Sequence, residues 1–335
     1  MELKITSDLE HDKWAAFVEM HKDGNIFQTP EMFEVLRRTK NYTPILLAAI
    51  DRNQEVQGLM VAVIQSESSN FLGRFSARAI IWGGPLIKDA NNEVLKLVLE
   101  AYDKAIKRRV IYSQFRNFWI HDDEQKKIFN SLGFVYEDHL NILVDLTKTQ
   151  EQLWKEVKST RRKTINKSKR SGVVFKELTD PQDIRESYNI VETVYKNARL
   201  PYPDGSLFEV SRELLSSKDM VKFFGAFHEE KMIGTRAVLC YKDYVFDWYA
   251  GSYKEFYNLR PNDFLPWEVF LWGKQNHYSL FDFGGAGHPD VPYGVRDYKL
   301  KFCSDLVNPG RFQKVHKPIL MGLGKFALKL YQKLK

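Results

Sequence analysis

The sequence has little of what a cross-linked, metal-bound or membrane-spanning protein needs. Two cysteines in 335 residues, Cys240 and Cys303, make neither a disulfide framework nor a metal cluster, so a reduced, cytoplasmic setting is expected. The eight histidines never recur at a ligand spacing such as His-x-x-x-His, and no metal is predicted. No apolar run approaches the roughly 18 residues that span a bilayer. The opening residues, Met1 to Asp8, lack the basic and apolar regions of a signal peptide.

What is present describes a folded chain: 44% apolar, 14% aromatic and 28% charged residues. The length suits two domains better than one. The net charge of +7 is concentrated. The run KEVKSTRRKTINKSKR, residues 155–170, holds eight basic residues and one acidic, which by itself accounts for +7. A basic helix of this density points to an anionic partner such as phosphate, nucleic acid or a membrane surface; a solvated linker helix is the plainer reading.

Two stretches resemble each other at a nearly constant offset. Trp82 in Ile80-Ile81-Trp82-Gly83-Gly84 answers Trp248 in Asp247-Trp248-Tyr249-Ala250-Gly251, 166 residues later. Phe115 answers Phe281 at the same offset, and Phe134 answers Phe302 at 168. An internal duplication is the reading. Each copy runs as an antiparallel meander, a helix (92–107 and 263–275), a strand, a short helix or loop and a final strand. In the first copy that final strand is placed at 134–146, ending in the alternating Asn141–Leu146. The fold class is therefore α/β, with mixed sheets in two domains. The boundaries are set at 1–148 and 149–318, with 319–335 as a basic amphipathic helix. In that helix Leu323, Phe326, Leu330 and Leu334 share one face and Lys325, Lys329 and Lys333 another, as in a peripheral contact with the inner face of a membrane. Packing on the protein's own surface is the alternative.

Three segments carry more than fold: Ser159–Val173, with its basic helix closed by Gly172; Arg260-Pro261-Asn262-Asp263-Phe264-Leu265-Pro266-Trp267-Glu268; and Phe281-Asp282-Phe283-Gly284-Gly285 followed by Gly294–Phe302. In order and spacing they resemble the Fem family of peptidoglycan bridge-forming aminoacyl transferases, also called FemAB or FemX-like, which are built from two tandem GNAT acyltransferase domains. The resemblance implies an aminoacyl group delivered by charged tRNA. It implies an anionic acceptor, a muropeptide carried on lipid or on a nucleotide, and no bound cofactor. The family's aromatic-Lys pair matches Tyr298-Lys299, where the lysine supports the oxyanion of the tetrahedral intermediate. In the first copy Gln28-Thr29 stands where the family has Gln-Ser. The long helical arm of some members is absent, Glu192–Asp219 being too short and interrupted by Pro201 and Pro203. Cys303 and Ser304 stand where the family commonly has Gly-Gly. The GNAT pyrophosphate loop, Arg/Gln-x-x-Gly-x-Gly, is missing from both copies.

On this reading Lys299, Tyr298 and Asp282 are the catalytic candidates. Strand alternation sets Asp282 opposite Phe281 and Phe283, either as proton acceptor or as a cap on the turn Gly284-Gly285; Asp297 and Asp247 are the other acids considered. Lys299 and Lys301 are read as alternate positions on one strand. Arg161, Arg162 and Arg296 are the phosphate-binding candidates, since a guanidinium pairs with phosphate oxygens bidentately. Trp248, Tyr249 and Tyr293, with Asn262, Gly284 and Gly285, are placed around the acceptor. Two rival readings differ in class: an N-acyltransferase of glycan or exopolysaccharide precursors that uses an acyl thioester, and a non-catalytic protein binding RNA or anionic lipid.

Overall fold

The structure is a computed structural model that describes residues 2–66, 76–302 and 305–323. Cys303, Ser304 and all of the expected C-terminal helix beyond residue 323 lie outside the described residues. Contacts divide the chain into two units, Met1–Asp138 with Pro309–Lys335, and His139–Asn308.

The first run of chain contains β1 (Lys4–Thr6), α1 (His11–Met20), α2 (Pro30–Arg38), the meander β2 (Tyr42–Ile50), β3 (Val56–Gln65) and β4 (Arg78–Trp82), the short β5 (Leu86–Ile87), α3 (Asn92–Ile106), β6 (Tyr112–Arg116), α4 (Asp123–Ser131) and β7 (Val135–Glu137). The second contains β8 (Asn141–Asp145), α5 (Gln150–Glu156), α6 (Ser159–Arg170), β9 (Val174–Glu177), α7 (Pro181–Ala198), α8 (Ser206–Leu215), the meander β10 (Val221–His228), β11 (Lys231–Tyr241) and β12 (Tyr244–Ser252), then α9 (Pro261–Gln275), β13 (Leu280–Gly285), α10 (Gly294–Lys299) and β14 (Asp305–Val307). β15 (Arg311–Val315) follows. No helix among the described residues is long and apolar enough to cross a membrane.

The sheets repeat one another. The first runs β1-β2-β3-β4-β6-β15-β7, and the second, read the same way, runs β9-β10-β11-β12-β13-β8-β14. The duplication is thus carried by strand order as well as by aromatic spacing. In the first unit the long helix α3 starts where the Asn91 side chain accepts from the backbone N–H of Glu93 and Val94. It buries Val94, Leu95, Val98, Leu99, Tyr102 and Ile106, one face at helical spacing. Its counterpart α9 buries Phe264, Leu265, Trp267, Val269 and Phe270 and is apolar on most of its circumference.

The expected domain boundary is corrected here. The stretch 134–146 is not one strand of the first copy. β7 stays in the first sheet, at the edge beside β15, whereas β8 pairs with β13 and β14 in the second. Ile142, Val144 and Leu146 are buried in the second unit's core, and Phe312 of β15 is buried in the first's. The units therefore divide after Asp138 and again after Asn308 instead of at 148 and 318. Alternation identifies a strand and its buried face, but not which of two similar sheets receives it.

One polar side chain completes the first sheet. β3 pairs with β4 through Val63, Ile64 and Gln65, and with β5 through Gly58 and Leu59, so the residues between them have no strand partner on that side. The fully buried Gln28 fills this gap. Its Oε1 accepts from Val61 N at 2.8 Å and its Nε2 donates to Trp82 O at 2.7 Å, an amide standing in for a missing peptide group. Replacing Gln28 with Leu keeps the volume and strands one donor and one acceptor in the core. Stability should fall by roughly 2–5 kcal/mol, measured by urea unfolding with an unchanged slope. An unchanged midpoint would show that these backbone groups find other partners.

Candidate active site

In the second sheet β12 and β13 run parallel for three residue pairs only: Tyr244 with Leu280, Val245 with Phe281, and Phe246 with Asp282. Beyond these, β12 continues against β11 as far as Ser252, while β13 continues against β8. Two local features part the strands. A bulge in the β11–β12 ladder leaves Trp248 as the extra residue. Gly284 takes the left-handed φ of +68°, which breaks the regular course of β13. At this turn Lys299 meets two carbonyls of β13. Its Nζ donates to Phe283 O at 2.6 Å and to Gly285 O at 2.9 Å.

A charged cluster surrounds this lysine. Asp282, buried in β13, accepts from Gly284 N at 2.6 Å through Oδ1 and from the Tyr244 hydroxyl through Oδ2. Burial pushes its carboxyl up to about 6, against the pull of the Tyr244 and Gly284 hydrogen bonds and of the Lys299 charge. Burial likewise pulls the Lys299 ammonium below the ordinary lysine range, while Asp247 and Asp282 favour its charged form. Asp247, one residue beyond the last β12–β13 pair, meets Arg236 of β11, with Nη1 and Oδ2 2.6 Å apart. Tyr298 precedes Lys299 in α10 and donates its hydroxyl to Asn262 O at the first turn of α9. Arg161 lies over the Tyr298 and Phe302 rings, 4.9 and 5.1 Å from their centroids, and pairs with Asp263. Acids, cations and aromatics thus converge where the strands part, the place at which a mixed α/β sheet takes its ligand.

Residues 155–300, within the second unit, match the family described as acetyltransferase (GNAT) domain. The chain has the tandem GNAT fold, and its second unit carries the match to the acyltransferase family. FemX shares its fold with a TM-score of 0.71 and 14% identity, over 96% of this chain and 99% of that one. A tandem GNAT protein from the clavulanic acid biosynthesis pathway gives 0.59 and 11%, over 94% and 99%. L-PGS from Bacillus licheniformis gives 0.57 and 16%, over 94% and 95%. Comparison with curated protein sequences returns no match.

Within the second unit the expected residues divide into those that meet and those used elsewhere. Lys299, Tyr298, Asp282, Gly284, Gly285 and the carbonyl of Asn262 come together. Lys299 does so from a helix, not from a strand: Gly294–Lys299 is α10, and Lys301, exposed beyond its end, does not share a strand face with it. Tyr293 is exposed before α10, against Gly287. Trp248 and Tyr249 pack on Phe208 of α8, with centroids at 6.1 and 5.6 Å, instead of standing open in a cleft. Asp297 is exposed.

The three arginines expected to bind phosphate are each engaged inside the unit. Arg161 is tied to Asp263. Arg162 gives Nη1 to the carbonyls of Trp154, Lys155 and Val157, closing the end of α5. Arg296 ties the loop before α10 through Ala286 O, His288 O and Val291 O. Carbonyl-rich helix ends and loops compete for a guanidinium's five donors as effectively as phosphate does. Arg236 was not singled out from the sequence. An arginine inside the apolar run Met232–Cys240 is its one signal, because a charge is buried in such a strand only with a partner.

A carboxylate whose pKa is raised in the folded state stabilises the fold when protonated. Its contribution is fully present below the unfolded value near 4 and is lost as pH rises through about 6. The stability of wild type relative to Asp282→Asn should accordingly rise by about 3 kcal/mol as pH falls from 8 to 4. Denaturant unfolding of both proteins across that range measures it. A pH-independent difference would mean that Asp282 titrates normally.

Proposed function

We propose that the second unit transfers an aminoacyl group from charged tRNA to an amine of a cell-wall precursor, a muropeptide held on lipid or nucleotide. The observation that carries this is the position of Lys299. An ammonium has three donors, and Lys299 spends two of them on Phe283 O and Gly285 O. The third is left for the carbonyl oxygen of a donor entering between β12 and β13. As the amine attacks, negative charge grows on that oxygen, and a donor already fixed by two hydrogen bonds stabilises it without reorganising. Tyr298, locked to Asn262 O, holds α10 and so fixes the lysine's height in the gap. Asp282 offsets the ammonium's charge and shapes the Gly284 turn. With both its oxygens engaged, it is an electrostatic partner of Lys299 and not the proton acceptor.

The resemblance of Tyr298-Lys299 and its flanking segments to the Fem family supports an aminoacyl donor, as does the shared fold of FemX. A second neighbour's name, lysylphosphatidylglycerol synthetase, is also that of an aminoacyl product. The missing pyrophosphate loop speaks against acetyl-CoA held in the usual GNAT manner.

Lys299→Met should lower kcat by about 10² to 10³, the loss for one oxyanion donor, and leave acceptor affinity within a few-fold. Lys299→Arg should restore only part, since a planar fork replaces a compact charge. Lys301→Ala, exposed beyond α10, should turn over like wild type. The assay follows radiolabelled amino acids into a precursor fraction from cell extract, with and without RNase. Transfer that survives RNase puts an acyl thioester in the donor's place. Full turnover by Lys299→Met removes the oxyanion role.

A further inference from the structure

Arg236 and Asp247 form a buried pair that the transfer step above leaves unused. Arg236 is 3% exposed, and its Nη1 stands 2.6 Å from Asp247 Oδ2. Beyond this ion pair, Arg236 Nε and Asp247 Oδ1 are buried and reach no hydrogen-bond partner, and Nη1 meets Oδ2 at short distance without hydrogen-bond geometry. Buried polar atoms are ordinarily satisfied, so a buried charged pair with an open donor and an open acceptor calls for an explanation. The pair sits in the middle of the sheet, where an apolar residue would fill the same volume at lower cost.

The placement supplies the explanation. Asp247 follows Phe246, the last residue of β12 paired with β13, so the two strands part beyond it. Its nearest charges include Lys299, whose ammonium it favours, and Tyr195 of α7 and Tyr298 of α10 also feel its field. The carboxylate therefore lies where β12 and β13 part, within electrostatic reach of the proposed oxyanion donor. Arg236 meets one of its oxygens, and the other is left without a donor.

We propose that Asp247 Oδ1, oriented by Arg236, is the subsite for a primary amine of one of the two reactants: the α-amine of an aminoacyl donor or the amine of the acceptor. This rests on the transfer reading for what the amine belongs to, but not for the contact itself. Arg236 is a positioning residue, and Asp247 makes the contact through a charge-assisted N–H···O bond, the stronger kind for an amine against a carboxylate. A substrate amine at Asp247 and a carbonyl oxygen at Lys299 place the two groups that an aminoacyl transfer must bring together on either side of one gap.

The full-length protein is tested by ligand-observed NMR titration with three probes: L-alaninamide, N-acetyl-L-alaninamide and n-propylamine. Wild type should bind an amine probe at least tenfold more tightly than N-acetyl-L-alaninamide, and Asp247→Asn should abolish that preference. Binding of L-alaninamide alone assigns the amine to the donor; binding of n-propylamine as well assigns it to the acceptor. Equal affinity of wild type for L-alaninamide and its N-acetyl form overturns the proposal, and this arm needs no variant to fold. Unchanged preference in a folded Asp247→Asn overturns it too. Lys299→Met should keep amine affinity within about twofold while losing turnover. Retained turnover in that variant would sink the oxyanion reading and leave the amine subsite standing.

Discussion

The parting of β12 and β13 after three residue pairs is the constraint on which the rest of the second unit depends. Where the ladder stops, Gly284 turns β13, and the carbonyls on either side of that turn must be answered. Lys299 answers Phe283 O and Gly285 O, but this brings a positive charge into the core, where it must be offset. Asp282 and Asp247 offset it. Asp247 in turn is held by Arg236, and Asp282 by Tyr244 and the Gly284 amide. Each group makes the next one necessary. The sheet trades cohesion for a ready set of charges, and the raised carboxyl of Asp282 is the visible cost of that trade.

The first unit meets a related problem without charge. Its unpaired stretch lies between β3 and β4, and Gln28 seals it with an amide that both donates and accepts. A neutral amide of this geometry needs no counter-charge. The two copies share a strand order and differ in what closes the sheet: an amide in the first and a cluster of charges in the second.

Much of this architecture was legible in the sequence, for reasons that are local. Helix caps such as Asn91, the apolar face of α3 and the meanders on either side of polar turns are set by neighbours a few residues away, and they fall where expected. The aromatic offsets gave the duplication. The exchange of β8 and β15 between sheets was not legible, because Ile142, Val144 and Leu146 fit either core equally well as a pattern. Nor was the helical setting of Lys299. The run Tyr298-Lys299-Leu300-Lys301 alternates like a strand, yet six residues from Gly294 close a helical turn under the pull of the Tyr298–Asn262 and Lys299 contacts, all of them distant in sequence. Arg236 was hidden by composition, being one charge in a run of apolar residues whose partner, Asp247, lies on the next strand.

The basic helix α6 shows why charge density alone misplaces a site. Its arginines and lysines do different work according to the face they occupy. Arg161 turns inward to Asp263 and the Tyr298 ring, and Ser168 reaches Leu259 O at 2.6 Å, so the inner face of α6 braces the start of α9. Arg162 turns back to three carbonyls at the end of α5. A planar fork suits such fixed, multiple acceptors, whereas a lysine's hydrated point charge keeps to water. Lys163, Lys167 and Arg170 remain exposed, three or four residues apart and so along one side of the helix, while Lys169 pairs with Glu268 at 2.6 Å. The arginines that look best suited to phosphate in the sequence are the ones the fold consumes. Any anion this helix meets is met by the outer cations, at solvent-screened strength, while the inner ones set the position of α9 and, through Tyr298, of Lys299.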